Sequence, residues 1–184
     1  MPFTKTDFPG LMIFEPRVFP DDRGYFFESY NAELCNTEGI NFTFVQDNQA
    51  RSEYGVMRGL HFQQLPHAQT KFIRALSGTI LDAVVDLRKA SPTFGRSFTI
   101  ELSAENKLQL LVPKGFAHGY AVLSETAEVF YKVDTYYNKA SEAGILYNDP
   151  ALKIDWKIES GKEKISDKDL VLPTLETVKS NSLF

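Results

Sequence analysis

The chain of 184 residues has a single cysteine, Cys35. An intramolecular disulfide is therefore excluded, and so is a metal site built on several thiolates. Histidine is nearly as scarce, at three, so each imidazole can be weighed singly. There is no block of Lys or Arg, and the net charge is -4. Nucleic-acid binders are usually basic overall or carry a basic face, so that class of partner is set aside. Long apolar runs are missing too: none approaches the roughly 18 residues of a membrane span. The opening MPFTKTDFPGLMIFEP holds no apolar core of signal-peptide length. The expectation is a soluble cytoplasmic protein without a membrane partner.

Aromatics are plentiful, with 15 Phe and 8 Tyr beside 11 Gly and 9 Pro. That mixture favours short strands and turns over a helix bundle. The length suits one substantial core and is short for two. With no repeat and no linker visible, residues 1–184 are expected to form one domain.

Taken in order, LMIFE and YFFES are predicted strands around a PDDRG turn. A helix is predicted within Tyr30–Gly39, with Asn31 as N-cap and Gly39 as its stop. NFTFVQDNQA alternates, placing Phe42, Phe44 and Gln46 on one face and Thr43, Val45 and Asp47 on the other. GVMRGLHFQQLPHAQTKFIRALSG, residues 55–78, resolves into two short strands around a polar loop. TILDAVVDLR is predicted to pair with TKFIRAL across the Ser77-Gly78 turn. FTIELS and LQLLVP follow as strands. HGYAVLSETAEVFYKVDTYY is expected to be a long hairpin with SET at its tip. In the tail, SDKDL suits one helical turn capped by Ser166. Strand signals every 8 to 12 residues or so point to an all-β sandwich or barrel of the jelly-roll kind.

Residues 55–78 carry most of the candidate chemistry: Arg58, His61, His67 and Lys71. A neutral histidine can accept a proton, a nearby cation can hold a developing oxyanion, and an arginine can grip a phosphate. His67 follows Pro66 in the loop and is read as a solvated surface residue. Barrels of this class often hold a metal with His-x-His, a nearby Glu and a later His. Here position 63 is Gln, the acid is missing, and only His118, in VPKGFAHGYAV, matches the later ligand. Two imidazoles alone make a poor site, so no metal is expected.

Acid–base work is the more economical use of His61, whose reference pKa near ~6.5 leaves most of it neutral at physiological pH. It requires an orienting acceptor on its second nitrogen, and Asp82 and Asp169 are both candidates. Tyr131, in EVFYKVDTYY, can supply a proton through its hydroxyl. Arg58 and His61 stand three apart, so a regular strand would aim them at opposite faces. For both to reach one pocket, a bulge near Gly59 must re-aim one of them.

With these residues in view, the chain resembles the dTDP-4-dehydrorhamnose 3,5-epimerase family of cupin-like sugar-nucleotide epimerases. The matching motifs are PDDRGYFFESYN, FVQDNQARS, GVMRGLHFQ, AQTKFIRALSG, DLRKASPTFG, LSAENKLQLLVPKGFAHGYAVLS, AEVFYKVDTYY and ISDKD. They run in the family's order over nearly the whole chain. The resemblance implies that dTDP-4-dehydro-6-deoxy-D-glucose is inverted at C3 and C5 to dTDP-4-dehydro-L-rhamnose, without a redox cofactor or metal. It implies His61 as base, Tyr131 as acid, Lys71 beside the ketone oxygen and Asp169 as the residue orienting His61. Nucleotide-sugar binding would fall to Arg23, Glu28, Gln46, Asp47, Asn48, Arg58, Lys71, His118, Glu142 and Lys168. Phe19, Phe26 and Tyr137 are candidates for stacking on the thymine. The family is dimeric with exchanged N-terminal strands, which would place Arg23 and Glu28 at the neighbouring subunit's site.

Overall fold

In the computed structural model, which describes residues 2–180, two antiparallel sheets face each other. Short strands β1 (Phe3–Lys5), β2 (Met12–Phe14), β3 (Phe19–Asp21) and β4 (Gly24–Phe26) lead into helix α1 (Ala32–Thr37). Then come β5 (Gln46–Glu53), β6 (Met57–Gln63), β7 (Lys71–Ser77), β8 (Thr79–Asp86), β9 (Ser97–Ser103) and β10 (Gln109–Val112). β11 (Phe116–Val122), β12 (Thr126–Val133), β13 (Glu142–Gly144) and helices α2 (Asp167–Leu170) and α3 (Leu175–Ser180) complete the order. One sheet runs β1-β2-β10-β7-β12-β5 and the other β13-β6-β11-β8-β9, while β3 and β4 pair only with each other. The predicted all-β jelly roll is the observed class. No helix among the described residues is long and apolar enough to cross a membrane.

The strands occur largely where the alternation placed them, but two predicted pairings, β7 with β8 and β11 with β12, are wrong, and the two strands of residues 55–78, β6 and β7, do not pair either. Each connection arches from one sheet to the other, so sequence neighbours face each other across the core. Ile73 of β7 and Ile80 and Val84 of β8 accordingly meet in one buried cluster between the sheets. Two of the arches lock together. Gly78, at φ +69, has no room for a Cβ against the Thr126 carbonyl and the Ser124 hydroxyl. Thr79 N–H donates to Ser124 Oγ at 2.8 Å, and that hydroxyl donates to Thr126 O at 2.7 Å.

The outer faces are covered separately. Leu60, Phe62, Ala83 and Val85 pack outward under Ile145, Leu152, Leu175 and Val178, so the C-terminal segment roofs the five-stranded sheet. Phe3, Phe14, Phe72 and Leu111 pack beneath α1 through Cys35. α1 begins as the sequence predicts: the Asn31 side chain accepts Leu34 N–H at 3.1 Å, and Gly39 stands at φ +76 just beyond its end. Residues 41–45 are not a strand, contrary to their alternation. Phe42 and Phe44 instead pack on the α1 cluster, with Phe44 stacked on Phe72, so apolar burial there serves the helix rather than a ladder. Ser166 precedes α2 but forms no side-chain cap bond.

Candidate functional site

The inner faces diverge at one end of the sandwich and leave a cavity of ≈ 410 Å³ lined by Arg58, His61, Lys71, His118, Tyr120, Tyr131, Glu142, Lys168 and Asp169, among others. A second cavity of ≈ 310 Å³ shares His61, Lys71, Tyr131 and Glu142 and extends to Gln46, Asn48, Gln63 and Tyr137.

A bulge on β6 brings Arg58 and His61 to the same side. His118 lies opposite His61 and Tyr120 opposite Arg58, so two β6 residues, Gly59 and Leu60, span the place of Gly119 alone. Glycine is required on both strands. Gly59 is at φ +111, and a Cβ on it would stand 2.7 Å from both Gly119 Cα and His118 O. Leu60 drops into the outer core, and the two polar side chains face the cavity.

His61 Nε2 lies 2.6 Å from Asp169 Oδ1. A carboxylate can only accept, so Nε2 carries the proton and Nδ1 is left with its lone pair. The other oxygen of Asp169 accepts Gly59 N–H at 3.4 Å, which ties the carboxylate to the bulge. Burial lowers the His61 pKa below 6.5; Asp169 opposes that shift, while Lys71 and Lys168 add to it. The lowered pKa favours the neutral imidazole at neutral pH.

Lys71 and Tyr131 face His61 from the six-stranded sheet. In the β7–β12 ladder Tyr131 lies opposite Ile73 and Lys71 opposite Val133, so both point inward. Lys71 Nζ reaches His61 O at 3.4 Å, and burial, partly offset by Asp82 and Glu142, pushes its pKa down to about 8. Burial raises the Tyr131 hydroxyl, with Arg58 pulling the other way, so it holds its proton until one is called for. Arg58 donates only to Ser52 Oγ, at 3.1 and 3.2 Å, and makes no ion pair among the described residues. A cation so placed suits an anionic group of a ligand.

A second imidazole–carboxylate pair sits deeper. His118 Nε2 lies 2.9 Å from Asp82 Oδ2, on adjacent strands of one sheet. The two candidate partners of His61 are thereby separated: Asp169 is hydrogen-bonded to His61, and Asp82 to His118. Asp82 Oδ1 is buried without a hydrogen bond among the described residues.

On the remaining wall, Tyr137 OH donates to Glu142 Oε2 at 2.9 Å and Lys168 Nζ donates to Glu142 Oε1 at 3.2 Å. Burial would raise the Glu142 carboxyl, but these two bonds hold it below the usual range. Gln46 and Asn48 hydrogen-bond each other at 2.8 Å on the inner face of β5. Asp47 lies on the opposite face and pairs with Lys132 at 2.9 Å, so the structure does not bring it to the cavity. Arg23, at the tip of the β3–β4 hairpin, pairs with Asp21 in solvent, and Glu28 lines a separate cavity with Phe14, Phe19 and Leu34. His67 takes part in the loop, 3.3 Å from Asn138 Nδ2, and does not line the cavity.

Sequence reasoning did not single out Tyr120. Its hydroxyl approaches Ser52 without forming a well-aligned hydrogen bond, and burial raises its pKa to about 12. The available signal was its place two residues after His118, on the same face of β11. Among the described residues no group of three or more His, Cys, Asp or Glu is placed to hold a metal ion.

Comparison with known proteins supplies independent findings. The family profile described as dTDP-4-dehydrorhamnose 3,5-epimerase matches residues 5–177. A dTDP-4-dehydrorhamnose 3,5-epimerase of Salmonella typhimurium is 49% identical over 173 residues, covering 94% of this chain and 94% of that protein. The crystal structure of the enzyme of that name from Elizabethkingia anophelis superposes with a TM-score of 0.91 at 50% identity, covering 95% of this chain and 96% of that one. A Legionella pneumophila dTDP-6-deoxy-D-glucose-3,5-epimerase, solved in complex with dTDP-4-keto-L-rhamnose, gives a TM-score of 0.93 at 42% identity. That match covers 98% of this chain and 96% of that one.

Proposed function

The chain belongs to the dTDP-4-dehydrorhamnose 3,5-epimerase family, and we propose that the cavity shared by His61, Lys71 and Tyr131 is where it performs that reaction. The enzyme converts dTDP-4-dehydro-6-deoxy-D-glucose to dTDP-4-dehydro-L-rhamnose, inverting C3 and C5. Both carbons flank the C4 ketone, so their C–H bonds are acidic. His61 Nδ1 removes the proton, the C–H electrons form a C=C bond, and the carbonyl becomes an enolate. Lys71, as a cation, stabilises the charge on O4. Tyr131 then protonates the same carbon from the opposite face as the carbonyl re-forms. Solvent removes the proton from His61 and restores the one on Tyr131. No atom or electron is gained or lost.

The observation that carries this reading is that His61 and Tyr131 project from opposite sheets into one cavity that Lys71 also lines. Arg58 and Lys168 offer donors to the diphosphate. Tyr137, exposed beside Glu142, offers a ring to the thymine, whereas Phe19 and Phe26, on the β3–β4 hairpin, would do so at a partner's site. The β3–β4 hairpin carries Arg23 away from its own cavity and exposes Phe19, Tyr25 and Phe26 at 47%, 60% and 65%. An apolar arm so exposed suits exchange with a second copy, which would deliver Arg23 and Glu28 to the partner's site. The working unit is then a homodimer in the cytoplasm, each chain one domain.

Turnover of the keto-sugar nucleotide in deuterated water tests the reaction. Deuterium is expected at both C3 and C5; incorporation at a single carbon, or at neither, overturns the double inversion. Mixing inactive His61→Ala with inactive Arg23→Ala subunits should restore activity through hybrid dimers, and no restoration refutes the exchanged arm.

A further inference from the structure

Gln63 stands where related barrels carry the second histidine of a metal pair, and the reaction above gives it no task. Its surroundings do. β6 is regular again after the bulge, so Gln63 shares the inward face with His61, two residues earlier. The residue is buried, at 5% exposure, and its side chain hydrogen-bonds no other side chain among the described residues. Nε2 donates to His67 O at 2.7 Å and to Tyr136 O at 3.3 Å, and Oε1 accepts Asn138 N–H at 2.6 Å. Three of its four hydrogen-bonding positions are thus spent on the backbone of two loops.

Each loop gives one residue, Gln69 or Tyr137, to the wall of the second cavity. Residues 64–70 lead from the His61 strand to Lys71. Residues 134–138 lead from the Tyr131 strand to Tyr137. Asn138 next caps the short helical turn Lys139–Ser141, its side chain accepting Ser141 N–H at 3.2 Å, and that turn delivers Glu142 into β13 opposite Gln63 itself. Tyr137, Glu142 and Lys168 then form a hydrogen-bonded chain across the mouth.

We propose that Gln63 is a positioning residue for nucleotide recognition: by pinning the 134–138 loop to β6 it holds Tyr137 and Glu142 in register with the diphosphate cations. This rests on the reading that Tyr137 and Glu142 face the nucleotide. Buried polar groups that lose their partners are costly, so the loops would settle elsewhere once the amide is gone. The base, on the strand itself and held by Asp169, keeps its place.

The test uses Gln63→Met, which keeps the shape and removes all three bonds. KM for the nucleotide sugar and Kd for dTDP should rise together by about 10- to 30-fold, with kcat within about threefold of the wild type. Gln63→Glu keeps the bond from Asn138 N–H but turns an oxygen against two carbonyls, and should weaken dTDP binding at least as much. Unchanged KM and Kd in either folded variant, or a fall in kcat larger than the rise in KM, overturns the proposal. So does failure of both variants to fold, because the loops must loosen without loss of the sandwich. The function itself is tested apart from this: a wild-type enzyme that turns over substrate while Gln63→Met binds dTDP normally defeats only the inference, whereas a wild type that does not bind dTDP defeats the reading beneath it.

Discussion

The cavity contains two imidazole–carboxylate pairs built in different ways. His61 and Asp169 join residues 108 positions apart, one on a bulged strand and one in a single-turn helix near the C-terminus. His118 and Asp82 lie on neighbouring strands of one sheet. The His61 side chain is 26% exposed and that of His118 7%. A base must reach substrate and exchange its proton with solvent between turnovers, and only the first pair has that access. The second, buried with its N–H facing Asp82, is placed to order the cavity floor. Identical groups in one pocket are thus given different work by strand geometry and exposure.

Breaking the first pair should have the largest effect on rate. His61→Ala is expected to lower kcat by about 10⁴-fold. Calorimetric binding of dTDP should remain close to that of the wild type, and turnover near normal would remove His61 from the mechanism. Breaking the second pair should be felt in stability: His118→Ala leaves the buried Asp82 carboxylate unpaired and should cost about 3–5 kcal/mol in urea unfolding. A fully stable His118→Ala enzyme as slow as His61→Ala would reverse the roles assigned to the two pairs.

Lys71→Met removes the cation opposite His61 and should lower kcat by about 10²–10³-fold, with little change in the melting midpoint. Asp169→Asn keeps the shape but no longer selects the His61 tautomer, and a fall of about 10²-fold is expected. If it unfolds the protein instead, Asp169 is a structural link like Asp82.

The mildest test is pH. His61 must be neutral to act, and its pKa is lowered, so kcat/KM should rise with pH through a limb below 6.5. Lys71 must be charged, and its pKa is pushed down to about 8, so the rate should fall above that value. In Lys71→Arg the alkaline limb should move upward; an unmoved limb would assign it to another group.

Much of the site was legible in the chain because chemistry-bearing residues cluster in short motifs. His61, Arg58 and Lys71 fall within 14 residues, and their spacing requires a bulge near Gly59 once Arg58 and His61 are to reach one pocket. The pairing of strands was not legible. The Ser77-Gly78 turn suggests a hairpin by local rules, yet long-range burial of Ile73 against Ile80 and Val84 sends the two strands to opposite sheets. Asp47 shows a related limit. A motif match carries no facing, and alternation on β5 puts it outside while Gln46 and Asn48 point in. Gln63 was noticed as a missing metal ligand, and its bonds to two loops could not be read from a single strand.

By itself, the sequence determined that this is an all-β protein with few imidazoles, no basic face and one dense polar stretch, because composition and period-2 alternation act over a few residues. The tertiary structure decided which strands face each other and which aspartate serves which histidine. It also decided that His61 and Tyr131 line one cavity from opposite sheets. Those outcomes depend on burial and hydrogen bonding between segments up to 110 residues apart, as between Gly59 and Asp169, and no local rule contains them.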